Sequence, residues 1–456
     1  MSDERLETLT VQEPESPYGD GVRINSIKFQ NYKFFYDLFE LPINGENILL
    51  YGENGSGKSS VYKALELLTK NSFTDFNKNI NIFAEGKDLV VEFAFSNGTE
   101  LTITSDLEEI PDTFDFLNGL SIFAPMLDYK KLLRVHYAAD ANVNNLNLYS
   151  MFRTLLKDYP TKQGKLNDYK NVTEYFEELK NILENDLLGD INQYLKKYFN
   201  ADIELVSFET TTEFDDETEK AIPIVNLNID YKENPIKKYH TFLNEARLSS
   251  LAISIYLVTI KKLLNSLTKK SLKILVLDDL LISLDMSNRL KLLEILKNEF
   301  QEFQIFFFTH DKELYEIYKG KMTWNKYEIY LDDSSEIPMP ILKKGKTEIE
   351  RAKKFYADRD YDACAMLLRK GFEKILKSYL TPQEQRNNNC VELDLSGFIV
   401  RAISKSNEES KTILEKLNSD RQHILNPLCH SDTKNIHSEE LRSAMEDLEK
   451  LQQLLK

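Results

Sequence analysis

Gly52-Glu53-Asn54-Gly55-Ser56-Gly57-Lys58-Ser59 constrains this chain more than any other stretch, because it fits G-x-x-x-x-G-K-[ST] in a setting that gives the pattern a mechanism. Before it, Asn47-Ile48-Leu49-Leu50-Tyr51 is a short apolar run that predicts a buried strand. After it, Ser60-Val61-Tyr62-Lys63-Ala64-Leu65-Glu66-Leu67-Leu68 carries apolar residues at helical spacing. Strand, glycine bend and helix, in that order, make a cradle for anionic oxygens from Gly52, Asn54, Gly55, Ser56, Gly57, Lys58, Ser59 and Ser60. Glycine removes the Cβ atoms that would obstruct such an approach. The start of the helix adds the positive end of its dipole. Lys58 is expected on the β- and γ-phosphates and the Ser59 hydroxyl on the metal, so ATP with Mg²⁺ is the expected ligand.

A length of 456 residues predicts two or three domains. With 42% hydrophobic and 29% charged residues, the composition is that of a soluble globular protein. No apolar run reaches the roughly 18 residues of a membrane span. The acidic start, Met1-Ser2-Asp3-Glu4-Arg5, is unlike a signal peptide, and Cys364, Cys390 and Cys429 lack paired spacing. These features predict a cytoplasmic protein with no membrane partner. A net charge of −16 disfavours non-specific nucleic-acid binding except through a local basic patch. Lys261, Lys262, Lys269, Lys270 and Lys273 form one candidate patch, and Lys343, Lys344 and Lys346 another, each more readily read as a solvated face.

Residues 1–20 read as a flexible acidic tail. Strands are predicted at 22–29, 47–51, 89–95 and 101–104, the last two joined by the hairpin signal Asn97-Gly98. A helical insertion covers 148–200, with strands at 203–208 and 222–229. A long helix follows over 244–264, then an apolar strand at 273–277, a further helix and a strand at 303–308. Pro338 and Pro340 mark a linker, so one domain is expected over 21–335 and a helical domain over 345–456, interrupted by a polar loop at 383–390.

Leu275-Val276-Leu277-Asp278-Asp279 is an apolar strand ending in two carboxylates. Adjacent strand-end side chains diverge, which assigns Asp278 to Mg²⁺ and Asp279 to polarising the attacking water. Downstream, Gln304-Ile305-Phe306-Phe307-Phe308-Thr309-His310 delivers a histidine to a strand end, where an imidazole can touch the γ-phosphate.

The order of these motifs resembles the ABC-type ATPases of the RecF/SMC class. Walker A, signature helix, Walker B, D-loop and H-loop are carried here by residues 52–59, 243–248, 275–279, 283–285 and 310. The opening Ile24-Asn25-Ser26-Ile27-Lys28-Phe29-Gln30-Asn31-Tyr32-Lys33-Phe34-Phe35 is similar to the first strand of that class, which implies that Lys33 reaches phosphate. The resemblance spans 22–331 and implies an α/β fold: an ABC/SMC-type P-loop ATPase head with a helical insertion, followed by an all-α bundle. It also implies a homodimer or higher homo-oligomer enclosing nucleotide between one subunit's P-loop and the other's signature helix. Asn244, Arg247 and, in the D-loop, Asp285 would make the contacts associated with those elements. Two departures stand out. The signature, Leu243-Asn244-Glu245-Ala246-Arg247-Leu248, lacks the Ser-Gly-Gly of the class, and no glutamine occupies the Q-loop, where Asp128 and Tyr129 stand instead.

The Asn-Glu-Ala-Arg-Leu signature resembles compact ATPases of bacterial anti-phage defence, relatives of the OLD and anticodon-nuclease-associated ATPases. It implies control of a partner effector, a nuclease or toxin. The C-terminal region resembles a HEPN-type bundle, whose ribonuclease members pair an arginine and a histidine four to six residues apart. Arg421 and His430 are more widely spaced and Pro427 interrupts them, so a docking or dimerisation bundle is the better reading. A metal site from Cys390, His423, Cys429, His430 and His437 has no suitable spacing. The alternatives are an ATP-regulated HEPN ribonuclease and a RecF-like DNA-repair ATPase.

Overall fold

The computed structural model describes residues 21–70, 72–120, 125–128, 147–215, 220–264, 267–268, 270–280, 286–426 and 438–455. The chain divides into two units. The first comprises residues up to Lys312 together with Tyr327–Lys343, and the second comprises Glu313–Lys326 with Lys344–Lys456. The longest stretch of the second unit begins at Lys344, and the segment 313–326 groups with the C-terminal helices.

The first unit opens on an antiparallel sheet of β1 (Ile24–Gln30), β2 (Leu38–Pro42), β4 (Val90–Phe95) and β5 (Glu100–Ile103), in the order β2-β1-β4-β5. The strict buried–intermediate alternation of Val90–Phe95 is that of a strand with one face on the core. The central sheet has six strands in the order β15-β14-β3-β13-β12-β6: β3 (Ile48–Gly52), β6 (Met126–Asp128), β12 (Ile274–Asp278), β13 (Gln304–Thr309), β14 (Asn325–Asp332) and β15 (Met339–Lys344). β3, β13, β12 and β6 run parallel. Every residue of β3 and β13 is buried, as expected of parallel strands covered on both faces, and this explains their unbroken apolar sequences. Residues 339–344, expected as linker around Pro338 and Pro340, instead form the edge strand β15. An edge position tolerates Pro340, which cannot donate to a ladder.

Gln304, fully buried at the start of β13, joins the two sheets. Its Oε1 accepts from Ile24 N at 2.7 Å, and its Nε2 donates to the Ile24 and Glu46 carbonyls at 2.8 and 3.1 Å. Asn47 Oδ1 accepts from Ile305 N and from the Arg23 guanidinium, each at 2.9 Å. Such satisfied buried amides fix the level at which β3 meets its neighbours.

Between β6 and β12 lies the helical insertion, with helices Tyr149–Leu156, Val172–Asn181 and Leu188–Tyr194 and π-helical turns at Ile182–Leu187 and Leu195–Phe199. It is broken by the two-residue ladder of β7 (Pro160–Thr161) and β8 (Gly164–Lys165), and followed by β9 (Ile203–Asp215), β10 (Lys220–Tyr231) and β11 (Asn234–Ile236). The Asn192 amide clips helix to strand, donating to Leu205 O at 2.7 Å and accepting from Leu205 N at 2.8 Å. The helix Glu245–Leu264 is buried on nearly all sides, and its Ser250, Ser254 and Thr259 hydroxyls turn back onto carbonyls four residues earlier. Near its C-terminal half, Glu299 gathers Lys197, Lys261 and Tyr198, contacts that hold its carboxyl down at about 2 against the pull of burial. Lys262 pairs with Asp190 at 2.7 Å and Lys273 with Glu302 at 2.5 Å. The first candidate basic patch is thus largely neutralised by carboxylates; Lys269 lies outside the described residues.

The second unit is helical. Glu348–Ala357, Tyr361–Tyr379, Leu395–Lys405, Glu408–Asp420 and Ser438–Leu454 surround a core that includes Leu368, Phe372, Phe398, Leu414 and Leu448. The polar loop expected at 383–390 is non-helical and is closed by a bridge between Arg386 and Glu392. No helix among the described residues is long and apolar enough to cross a membrane.

Candidate nucleotide site

The P-loop follows β3 directly and runs into the helix Lys58–Leu67. Gly55 and Gly57 take φ of +84° and +107°, the left-handed region that disfavours side chains. A Cβ on Gly55 would meet nothing within 4 Å, so the bend faces open space. A Cβ on Gly52, by contrast, would lie 2.4 Å from Ser56 Oγ and 2.5 Å from Ile329 Cγ2. The loop is therefore packed from below and open above, as an anion cradle must be. Ser59 is exposed, while Ser56 and Ser60 are buried, and the Ser60 hydroxyl accepts from Phe34 N at 3.3 Å.

Lys58 is only 5% exposed and folds back over the loop, donating to the Gly52 carbonyl at 2.5 Å and the Glu53 carbonyl at 3.1 Å. Burial lowers its pKa, opposed by the nearby charges of Asp279, Asp278 and Glu53. Asp278 ends β12 beside the loop. Burial first, then Asp279, raises its carboxyl to about 7, with Lys58 working against the shift. Asp278 Oδ1 is buried and accepts no hydrogen bond within the described protein. A buried acceptor with no partner, among the charges of Asp279, Lys58 and Asp128, suits a divalent cation. No three carboxylate, imidazole or thiolate groups among the described residues hold an ion by themselves.

Asp279 follows Asp278 with a left-handed φ of 48°. Its Oδ1 accepts from His310 N at 2.8 Å and lies 2.7 Å from His310 Nδ1, the latter off the line a hydrogen bond requires. The ends of β12 and β13 thus bring together two residues that the sequence predicts as catalytic.

Lys33, also at positive φ (50°), lies with its ammonium 5.9 Å from the Tyr32 ring centroid. Burial and then Lys63 and Lys70 lower its pKa, and the next residue, Phe34, donates its backbone N to Ser60 Oγ at 3.3 Å. Asn244 caps the helix Glu245–Leu264, its Oδ1 accepting from Arg247 N at 3.0 Å. Arg247 lies over the Tyr231 ring at 5.1 Å and 3.7 Å from Asp202. Within one chain, both signature residues therefore have local work. Asn244→Ala is expected to cost about 1 kcal/mol of stability, read as a lowered urea midpoint; an unchanged midpoint would remove the capping role. Ser283–Asp285, Tyr129, Lys130, Cys429, His430 and His437 lie outside the described residues. Arg421 begins a π-helical turn, Arg421–Leu425, and its Nε donates to Asn418 Oδ1 at 3.2 Å.

One residue of the site is not among those the sequence predicts. Tyr62 is buried on the P-loop helix and donates to Asp128 Oδ2 at 3.2 Å. It stands three residues after Ser59, on the same helical face, which is the signal that could have found it.

A P-loop after β3, acids ending β12, a histidine ending β13 and a helical insertion between β6 and β12 define an α/β P-loop domain, followed in the chain by an all-α region. No family model and no curated protein matches the sequence. Among solved structures, the chain is similar to an SMC head bound to the C-winged helix domain of ScpA, with a TM-score of 0.43 and 11% identity over 73% of this chain and 99% of that one. It is also similar to the SMC head domain from Thermotoga maritima, with a TM-score of 0.36 and 12% identity over 71% of this chain and 100% of that one. The recombination mediator RecF gives a TM-score of 0.38 and 13% identity over 69% and 98% of the two chains.

Proposed function

We propose that this chain binds ATP with Mg²⁺ and hydrolyses it slowly, as a nucleotide-gated switch. The observation that carries the reading is the P-loop, packed from below and open above, beside a buried strand-end carboxylate with an unpartnered oxygen. When ATP binds, Lys58 leaves the Gly52 and Glu53 carbonyls for phosphate oxygens, and Ser59 and Asp278 hold the metal. The bound metal would neutralise charge developing on the phosphates. Asp279 orients water. His310 presents its Nδ1 edge to Asp279, so Nε2 is the ring nitrogen left for a phosphate oxygen.

Slow turnover follows from the reach of Asp279, one methylene shorter than glutamate and already engaged by His310. Steady-state phosphate release by the full chain is expected well below the about 10 per second typical of enzymes. Turnover of tens per second would overturn the switch reading, and no hydrolysis at all would remove the enzyme.

The reading extends to a homodimer closed by nucleotide, with the signature helix as the trans element and a partner effector, a nuclease or toxin, under its control in anti-phage defence. The Asn244–Leu248 signature supports this extension. Sedimentation with and without a non-hydrolysable ATP analogue tests closure, and co-purification from the native host tests the partner.

A further inference from the structure

The helix Glu245–Leu264 carries two lysines near its end, Lys261 and Lys262, that the nucleotide reading does not use. Both line a cavity of about 370 Å³, together with Asp190, Tyr194 and Lys197 of the helical insertion and Glu299 at the end of the helix Met286–Glu299. That volume falls within the about 300–1,000 Å³ of small-molecule sites. Lys197 stands in the π-helical turn Leu195–Phe199, and such turns recur at functional positions.

Donors in this cavity outnumber the acceptors left to receive them. Glu299, its carboxyl held down at about 2, is already met by Lys197, Lys261 and Tyr198. Lys262 has one carboxylate partner, Asp190, at 2.7 Å. An ammonium carries three donors, so Lys261 and Lys262 keep spare ones. Tyr194 is 5% exposed, and its hydroxyl is buried with no hydrogen-bond partner among the described residues. Burial first, then Glu299, Tyr198 and Asp190, push the pKa of that phenol far up. Its proton therefore stays on, and its oxygen lies among the same groups that line the cavity. A buried donor without an acceptor is costly, so what this cavity lacks is an acceptor.

Three ammoniums face two carboxylates, which leaves the walls with an excess of positive charge. The Lys262–Asp190 pair is partly exposed on both sides, and such pairs contribute little, so an incoming anion can redirect the lysine. A phosphate group offers several acceptor oxygens at once, and lysine serves it as a point charge from any direction. Val258 and the Tyr194 ring give the rest of the cavity an apolar wall, while Asp190 has lone pairs to spare for a hydroxyl donor. Independently of the ATP reading, we propose that this cavity binds a small hydroxylated phosphate ester, with Lys261, Lys262 and the Tyr194 hydroxyl on the phosphate and Asp190 on the ligand's hydroxyls.

Ribose 5-phosphate serves as the probe, titrated by calorimetry into the full chain, with inorganic phosphate and succinate titrated alongside. The ester is expected to bind at least about tenfold more tightly than either. Tyr194→Phe removes one oxygen and nothing else, and it is expected to weaken ester binding about tenfold, the scale of one hydrogen bond to a charged group. Lys262→Gln is expected to weaken it by a similar factor. Lys58→Met, altered only at the P-loop, should bind the ester as the unsubstituted chain does. Affinity that falls in Lys58→Met and stays unchanged in Tyr194→Phe would place the ester in the P-loop and overturn the proposal. Equal affinity for inorganic phosphate or succinate would overturn it too, by reducing the cavity to an adventitious anion contact, as would the absence of any ester binding by the unsubstituted chain. A chain that took up the ester in this way but bound no ATP would sink the nucleotide reading alone.

Discussion

Lys58→Met is expected to weaken ATP binding by roughly 100-fold while leaving the ligand-free protein about as stable as before. Two charge-assisted hydrogen bonds to phosphate oxygens are worth on the order of 3 kcal/mol together, which corresponds to that factor. Methionine keeps the apolar stem that packs beneath the loop and removes only the ammonium. In the ligand-free protein that ammonium is nearly buried, and burial lowers its pKa. A lysine whose folded pKa lies below its unfolded value binds its proton less well in the native state. Its charge therefore weighs against folding at any pH below the ordinary lysine value. Removing it relieves that cost and forfeits the bonds to the Gly52 and Glu53 carbonyls, and the two effects oppose each other. Calorimetric titration with ATP, paired with thermal melts with and without nucleotide, separates the outcomes. A variant that binds ATP within threefold of wild type would show that Lys58 belongs to the loop's packing alone.

The strands that position this site were legible because they are buried on both faces. Residues 47–51, 273–277 and 303–308 read as apolar runs and appear as Ile48–Gly52, Ile274–Asp278 and Gln304–Thr309, shifted by one residue. Local sequence suffices where burial is uniform. It fails where pairing is remote or polar. β6 is three residues long, and only its ladder with β12, far along the chain, makes Asp128 a neighbour of Asp278. β15 contains Pro340 and exposed lysines, and it is a strand only because β14 offers it an edge. Asn244 reads as a trans contact from its motif, yet in the fold it spends its oxygen on its own helix. A capping side chain and a ligand-binding one are the same residue in sequence, and the partner decides which it is. The paired acids and the histidine were legible as strand ends, but their union through Asp279 depends on a left-handed backbone, which aspartate tolerates better than most residues but which the strand pattern does not announce.

Asparagine at Asp278 and at Asp279 should have opposite signatures. Asp279→Asn is expected to keep nucleotide and metal bound while slowing hydrolysis by about 10² to 10⁴, the range of general-base contributions. Asp278→Asn is expected to lose metal-dependent binding, and its effect on stability depends on pH. The Asp278 carboxyl titrates near 7 in the fold, against 3.8 as its ordinary value. Between those values the native state holds a proton that the unfolded chain has released, so native stability falls as pH rises through that window. Above pH 7 the full cost of a buried, ionised Asp278 beside Asp279 is present, at most about 1.4 kcal/mol for each tenfold gain in the carboxylate's proton affinity on folding. The variant removes that cost, so ligand-free Asp278→Asn should be more stable than wild type at pH 8, with the advantage vanishing towards pH 4. Metal binding must displace the same proton, so wild-type Mg²⁺ affinity should drop as pH falls below 7 and the variant's residual affinity should not follow it. Urea unfolding at pH 5 and 8 with metal titrations at the same values tests both halves. A stability difference independent of pH would mean that Asp278 is ionised throughout, with its charge already neutralised by Lys58. The acids would then serve the loop's architecture before they serve a metal.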